Sequence, residues 1–417
     1  MPNFAGMSAT LATPPGTAHY LDLEDRYGAH NYHPLPVVLE RGQGVYVWDV
    51  EGKRYYDFLS GYSAINHGHC HPKIVEALKE QAGKLTLTSR AFHNNLLGEY
   101  SQYITQLFGY DKVLPMNTGV EAVETALKLA RRWAYTVKGV ADDSAKIIVC
   151  QQNFHGRTIN VISFSSDPSA RKGFGPFVPG YISIPYNDLG ALAEALEDED
   201  VCGFLVEPIQ GEAGVVVPDE GFLKQAYALC REKNVLFIAD EIQTGMGRTG
   251  KMLACDHEDV RADILILGKA LSGGTMPVSA VLADDEIMLT IHPGEHGSTF
   301  GGNPLACKVA ITAMHVLQDE GLTENAATQG LLLRKLLGEI AHSNITVIRG
   351  KGLLNAIVIE SEREDAAWEL CLSMMQNGLL AKPTHGNIIR FAPPLLITKA
   401  QVEECVGIIR KSLQETF

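Results

Sequence analysis

Long apolar runs are missing from this 417-residue chain. Stretches such as Val235 to Ala239 and Ile264 to Leu267 fall far short of the roughly 18 residues that cross a bilayer, so no membrane span is expected. No Lys or Arg precedes Arg26, and the opening stretch turns acidic at Asp22, Glu24 and Asp25. Secretory signals start positive and transit peptides are Arg-rich, so the chain as given reads as cytoplasmic. The eight cysteines are scattered without any Cys-x-x-Cys, which argues for reduced thiols rather than a disulfide framework. Basic residues are in deficit: 35 Lys and Arg against 49 Asp and Glu leave a formal net charge of −14. That balance repels phosphate backbones and acidic lipid surfaces, so nucleic acid is not an expected partner. The chain also has no internal repeat, low-complexity tract or long charged linker, which excludes solenoids and disordered tethers.

What is present is the make-up of an ordinary folded protein, 46% hydrophobic and 20% charged. At about 150 residues per domain, the length suggests two or three domains. Val45 to Val50 and Arg54 to Leu59 flank Glu51-Gly52-Lys53, a hairpin signal of β-formers around a Gly turn. We assign residues 1–60 to an N-terminal arm and hairpin that forms part of a smaller domain. From about residue 72, helical patterns alternate with short apolar runs at Lys146 to Cys150, Gly203 to Val206, Val235 to Ala239 and Ile264 to Leu267. This alternation predicts an α/β fold, a mainly parallel sheet covered by helices, across residues 61–310. Residues 311–417 then read as a small C-terminal domain. It has a helical run, a strand at Leu353 to Ile359, a helix near Asp365 to Asn377 and a last helix opened by the capping box Thr398-Lys399-Ala400-Gln401.

Three motifs carry possible chemistry. Asn117-Thr118-Gly119-Val120-Glu121 precedes a helix whose Val123, Leu127, Ala130 and Ala134 share one face. Free N–H groups at such a helix start attract a phosphate, and a Gly lets it approach, although the same residues suit a plain capped helix. Asp240-Glu241 ends a buried-type strand, where open α/β sheets bind ligands. Asp240 could pair with a cationic cofactor nitrogen or serve as a loop acid or cap. Lys269 follows the run Ile264 to Leu267 after one Gly. Desolvation there would favour the neutral amine that condenses with an aldehyde, while the alternative is a surface Lys. Gly245-Met246-Gly247-Arg248-Thr249-Gly250 matches the dinucleotide Gly pattern, but it is set back from its strand and lacks a clear amphipathic helix behind it. His67, His69, Cys70 and His71 look like a metal cluster, yet Gly68 and Pro72 break their presentation and no second ligand group accompanies them. No metal is therefore assigned.

Taken together, the Asn117, Asp240 and Gly268-Lys269-Ala270-Leu271-Ser272-Gly273-Gly274 segments resemble the class III, pyridoxal-phosphate-dependent aminotransferases. Tyr27-Gly28-Ala29-His30-Asn31-Tyr32-His33-Pro34 and Asn153-Phe154-His155-Gly156-Arg157-Thr158 are similar to segments of the members that act on ornithine. The resemblance runs from about Tyr27 to the C-terminus. It implies a fold-type-I, aspartate-aminotransferase-like architecture and a homodimer with active sites at the subunit interface. It also implies pyridoxal 5′-phosphate as cofactor, with L-ornithine and 2-oxoglutarate as substrates. By the same resemblance Lys269 would hold the cofactor as a Schiff base and shuttle a proton, and Asp240 would keep the ring nitrogen protonated. Gly119 and Val120 would meet the phosphate, with Thr299 reaching the neighbouring subunit's phosphate, while Phe154 would stack on the ring and Gln243 would bond its phenolic oxygen.

Ornithine must present its terminal amine and glutamate its α-amine to one pocket. The resemblance implies that Arg157 clamps a carboxylate, that Tyr32 and Tyr62 shape the ornithine end, and that Glu212 gates Arg390. Acetylornithine or 4-aminobutyrate aminotransferases and a pyridoxal-phosphate aminomutase are the rival expectations. For Glu212 and Arg390, a structural salt bridge is the alternative.

Overall fold

The computed structural model describes residues 16–417; residues 1–15, which hold most of the lysine- and arginine-free opening, lie outside the described residues. β1 (Leu39–Gln43), β2 (Tyr46–Asp49) and β3 (Arg54–Asp57) form an antiparallel ribbon. The turn between β2 and β3 is the expected Gly hairpin. Gly52 takes φ +83°, and the Asp49 carboxylate accepts from the N–H groups of Glu51 and Lys53.

The central sheet has seven strands: β4 (Lys112–Met116), β5 (Lys146–Cys150), β6 (Tyr181–Ile184), β7 (Val201–Val206), β8 (Leu236–Asp240), β9 (Ile264–Leu267) and β10 (Ser279–Ala283). Their order is β4-β10-β9-β8-β7-β5-β6. Pairings from β9 through β6 are parallel, and β10 alone runs against both neighbours. The continuous apolar runs identified in the sequence are β5, β7, β8 and β9. Every residue of β7, β8 and β9 is buried, as a sheet covered on both faces requires. One cover is the helix Gly119–Trp133, whose Val123, Leu127 and Ala130 are buried against the sheet as their spacing predicts. In β8 the strand extends through Asp240, so that carboxylate is the last strand residue rather than the first loop residue.

β11 (Ile345–Lys351) and β12 (Leu354–Ile359) open a second antiparallel sheet. β13 (Leu379–Leu380) pairs in parallel with β3, so the N-terminal ribbon and the C-terminal region share one sheet. β14 (Lys382–Pro383) and β15 (Ile388–Phe391) complete the order β11-β12-β15-β14. The helices Ala366–Gln376 and Lys399–Thr416 pack behind it; Thr398 and Gln401 make both bonds of the capping box, and Val402, Cys405, Val406, Ile409 and Leu413 are buried. Among the described residues no helix is long and apolar enough to cross a membrane.

The Gly245 to Gly250 segment serves packing. Arg248 is fully buried there. It donates to Asn66 Oδ1, to Leu353 O at 2.9 Å and to Pro393 O at 2.6 Å, tying the segment after β8 to the sheet that contains β12 and β15.

Candidate active site

The carboxyl ends of β8 and β9 lie side by side because the two strands are parallel neighbours, with Asp240 opposite Ile266. Asp240 and Lys269 therefore line one cavity of about 210 Å³. Lys269 sits at φ +43°, a left-handed conformation that a non-Gly residue adopts only when its surroundings hold it. Burial pushes its pKa down, and Arg390 acts in the same sense against the opposing pull of Glu212 and Asp240. An amine so placed gains access to its neutral, nucleophilic form.

Asp240 Oδ1 accepts from the Ile242 N–H at 3.1 Å, and Oδ2 accepts from His155 Nδ1 at 2.6 Å. The adjacent Glu241 is turned away. It accepts from the Cys255 N–H at 2.8 Å and from the Thr244 hydroxyl, so the two acids that the sequence left together divide into one facing the cavity and one supporting the loop.

Gly119 and Val120 line the same cavity at the start of the helix Gly119–Trp133. Thr118 and Glu121 form a capping box that takes up each other's N–H groups, while the Gly119 and Val120 N–H groups, at the helix start, have no carbonyl one turn back. A Cβ on Gly119 would lie 3.1 Å from Ile242 Cδ1, and one on Gly156, at φ +129°, would collide with Val120. These glycines keep the approach to the helix start open. The donor set fits a phosphorylated, aldehyde-bearing aromatic: helix N–H groups for the phosphate, an enclosed Lys for the aldehyde, a buried carboxylate for a ring nitrogen and the Phe154 ring as an apolar wall.

A second cavity of about 310 Å³ adjoins the first and is lined by Phe154, Arg157, Glu212 and His385 among others. Arg390, on β15 and 1% exposed, lies behind this cavity's wall and meets it through Glu212. Its Nη1 donates to Glu212 Oε1 at 3.0 Å and to Gln243 Oε1 at 2.8 Å, leaving the Gln243 amide N–H groups for the cavity. Burial pushes the Glu212 carboxyl up, but Arg390 and Lys269 outweigh it and the net direction is down. Tyr62 lies with its ring centroid 5.0 Å from the Arg390 guanidinium. Arg157 lies over Phe154 at 5.5 Å and has no carboxylate partner among the described residues. Tyr32 and Thr299 are both exposed; Tyr32 is near enough to Tyr62 to add to the rise in its pKa, which burial leads, whereas Thr299 lines neither cavity.

Two residues at the cavity were not assigned from the sequence. Glu207, just past the end of β7, accepts from the Phe154 N–H at 2.8 Å and from the Gly211 N–H at 3.3 Å. Burial pushes its carboxyl up to about 7, with Asp240 adding to the rise and His155 opposing it. An acid at the end of an apolar strand is the signal that drew attention to Asp240, and it applies equally to Val206-Glu207. His155 lies inside a quoted motif, but its contact with Asp240 spans 85 residues and no local pattern announces it. Burial opposes its protonation, yet the Asp240 carboxylate wins and its pKa is raised.

The profile of the family described as "Aminotransferase class-III" matches residues 27–413. The chain is 62% identical over 400 residues to "Ornithine aminotransferase, mitochondrial" of Rattus norvegicus, covering 96% of this chain and 91% of that one. The ornithine aminotransferase structure from Toxoplasma gondii described with partial occupancy of PLP superposes with a TM-score of 0.95. It is 49% identical, with 96% of this chain and 94% of that chain covered. A crystal structure of acetylornithine aminotransferase from Elizabethkingia anophelis has a TM-score of 0.89 and 60% identity, covering 96% of this chain and all (100%) of that chain.

Proposed function

Because this chain belongs to the class-III aminotransferases, we propose that it is an ornithine δ-aminotransferase. It moves the terminal amino group of L-ornithine to 2-oxoglutarate, giving L-glutamate 5-semialdehyde and L-glutamate in a ping-pong sequence. The observation that carries this reading is the Arg390–Glu212 pair at 3.0 Å beside an Arg157 that has no carboxylate partner among the described residues. A resting site so arranged offers one cation for a carboxylate and keeps the second in reserve.

Pyridoxal 5′-phosphate is the cofactor; when bound, it supplies an aldehyde that condenses with amines and a protonated ring that accepts the electron pair left when a C–H proton departs. Lys269 would hold the aldehyde end, and its amine would take up and return a proton at the substrate carbon. Asp240 holds the ring nitrogen in its protonated form. Gly119 and Val120 bind the phosphate, Phe154 covers the ring and Gln243 donates to the phenolic oxygen.

Substrate choice follows from charge. With ornithine, Glu212 keeps Arg390 occupied, so Arg157 takes the α-carboxylate, Tyr32 and Tyr62 enclose that end, and the δ-amine arrives at Lys269. With glutamate, Glu212 swings out, Arg390 takes the α-carboxylate and Arg157 the γ-carboxylate. We further propose a homodimer in which Thr299 meets the phosphate of the neighbouring site. The exposure of Thr299 and of the adjacent Phe300, at 56%, supports this assembly. Cytoplasmic residence belongs to the same proposal; the rat and fly relatives are named mitochondrial, and fractionation against compartment markers decides between the two.

The test mixes purified holoenzyme with L-ornithine and no keto acid, follows the cofactor spectrum and traps the semialdehyde. N-acetylornithine and 4-aminobutyrate are run in parallel. Conversion of the cofactor with release of glutamate 5-semialdehyde is expected. Preference for N-acetylornithine, or product formation that needs no 2-oxoglutarate over many turnovers, would overturn the proposal in favour of an acetylornithine enzyme or an aminomutase.

A further inference from the structure

Four consecutive residues, Ser60, Gly61, Tyr62 and Ser63, take φ values of +51°, +55°, +60° and +71°. They make one left-handed turn that contains a single Gly. Each of the three non-Gly residues costs roughly 1–2 kcal/mol in that conformation, so the turn persists only if its surroundings hold it. The serine side chains do not supply the hold, since the Ser60 and Ser63 hydroxyls are buried without partners. The Asp57 carboxylate does. Its Oδ1 accepts from the N–H groups of Leu59 at 2.9 Å and Ser60 at 2.8 Å, and its Oδ2 accepts from His69 Nε2 at 2.7 Å.

His69 is itself anchored. Its N–H donates to Gly44 O at 2.8 Å, and the Gly44 N–H donates back to His69 O at 3.0 Å. The three histidines that resemble a metal cluster in the sequence thus have separate partners: His67 faces Ala313 O, His71 faces Glu320 and His69 faces Asp57.

We infer that Asp57 and His69 are positioning residues for ornithine recognition, locking the left-handed turn that aims Tyr62 at Arg390 and the substrate end of the site. The inference rests on the ornithine reading above and names the device behind its tyrosine contact. Opposite-handed turns send their side chains in different directions, so loss of the carboxylate hold redirects the Tyr62 ring. Glutamate, clamped at both ends by arginines, depends on that ring less than ornithine does.

The experiment measures both half-reactions separately in the holoenzyme, by cofactor absorbance with ornithine and with glutamate. Asp57→Ala and His69→Leu are expected to raise the KM for ornithine by about tenfold, with kcat and the KM for glutamate held within about twofold. Asp57→Asn and His69→Gln, which keep an acceptor for the two N–H groups and a donor for the carboxylate, should recover most of the loss. A crystal structure of Asp57→Ala should show Tyr62 displaced. Equal losses in both half-reactions, or unchanged constants for ornithine, overturn the inference; if Asp57→Ala does not fold, His69→Leu decides it. A wild-type protein inert toward ornithine overturns the parent reading as well, whereas an ornithine-active wild type with indifferent variants overturns this inference alone.

Discussion

The Arg390 guanidinium and the Glu212 carboxylate meet at 3.0 Å, with the Arg390 side chain 1% exposed and that of Glu212 22% exposed. The cation is fixed in the wall, whereas the anion borders the cavity and has room to leave. This asymmetry supports our proposal that Glu212 is the moving member of the pair.

Glu212→Ala should therefore release Arg390 for any α-carboxylate. We expect kcat/KM for the ornithine half-reaction to fall by about 10- to 100-fold, or ~1.4–2.7 kcal/mol. The glutamate half-reaction should hold or improve, and ornithine should begin to react at its α-amine. Product analysis by mass spectrometry, with unchanged regiochemistry and unchanged rates, would remove the gate from the mechanism.

Lys269→Ala removes the amine at the end of β9. Turnover should drop by more than about 10³, because covalent attachment and proton transfer fail together. Cofactor should still associate through Gly119 and Val120, detectable by equilibrium dialysis. Substantial residual turnover would reassign the nucleophile.

Glu207 offers a pH test. Its ordinary value is 4.5 and its folded value is about 7, raised first by burial. A folded pKa above the unfolded one gives stability that is full below the unfolded value and lost as pH rises through the folded one. Glu207→Gln removes this dependence, so the variant should gain on the wild type between those two values, by roughly 1–3 kcal/mol. Thermal melts across that range check it, and a constant difference in melting temperature would contradict the assignment.

Gly330 lies in the helix Leu322–Gly338, where an added Cβ would stand 1.8 Å from Gly352 O. Gly330→Ala should destabilise by about 3 kcal/mol or more through a clash with main chain that has nowhere to move. Gly98, in the helix Asn95–Phe108, has no atom within 4 Å of an added Cβ, so Gly98→Ala should stabilise by roughly 0.5–1 kcal/mol. Calorimetry on both variants separates packing from helix propensity.

Local signals carried far in this protein. The apolar runs at Lys146–Cys150 and Ile264–Leu267 coincide with β5 and β9, because a strand covered on both faces has to be apolar throughout. The capping box at Thr398 to Gln401 announced its helix, since a cap is satisfied within three residues. β4 and the reversed β10 were not among the runs picked out: Lys112 to Met116 mixes in Lys and Pro, but Ala280 to Ala283 is apolar and buried throughout and was legible. Asp240 and Lys269 were legible because the first ends an apolar strand and the second follows one after a single Gly. His155 and Glu207 were not assigned, although Glu207 carries the same strand-end signal.

Composition, strand runs and caps by themselves determined that this chain folds as a helix-covered parallel sheet with an acid and an amine at its carboxyl edge, because those features depend on residues close together in sequence. The meeting of Arg390 with Glu212 across 178 residues was implied only by resemblance and not by any local pattern, and tertiary structure alone decided that His155 would back Asp240 and that Asp57 would hold the Tyr62 turn. Such contacts arise when separate elements pack, and the buried charges and left-handed torsions they hold are costs that no short segment could offset alone.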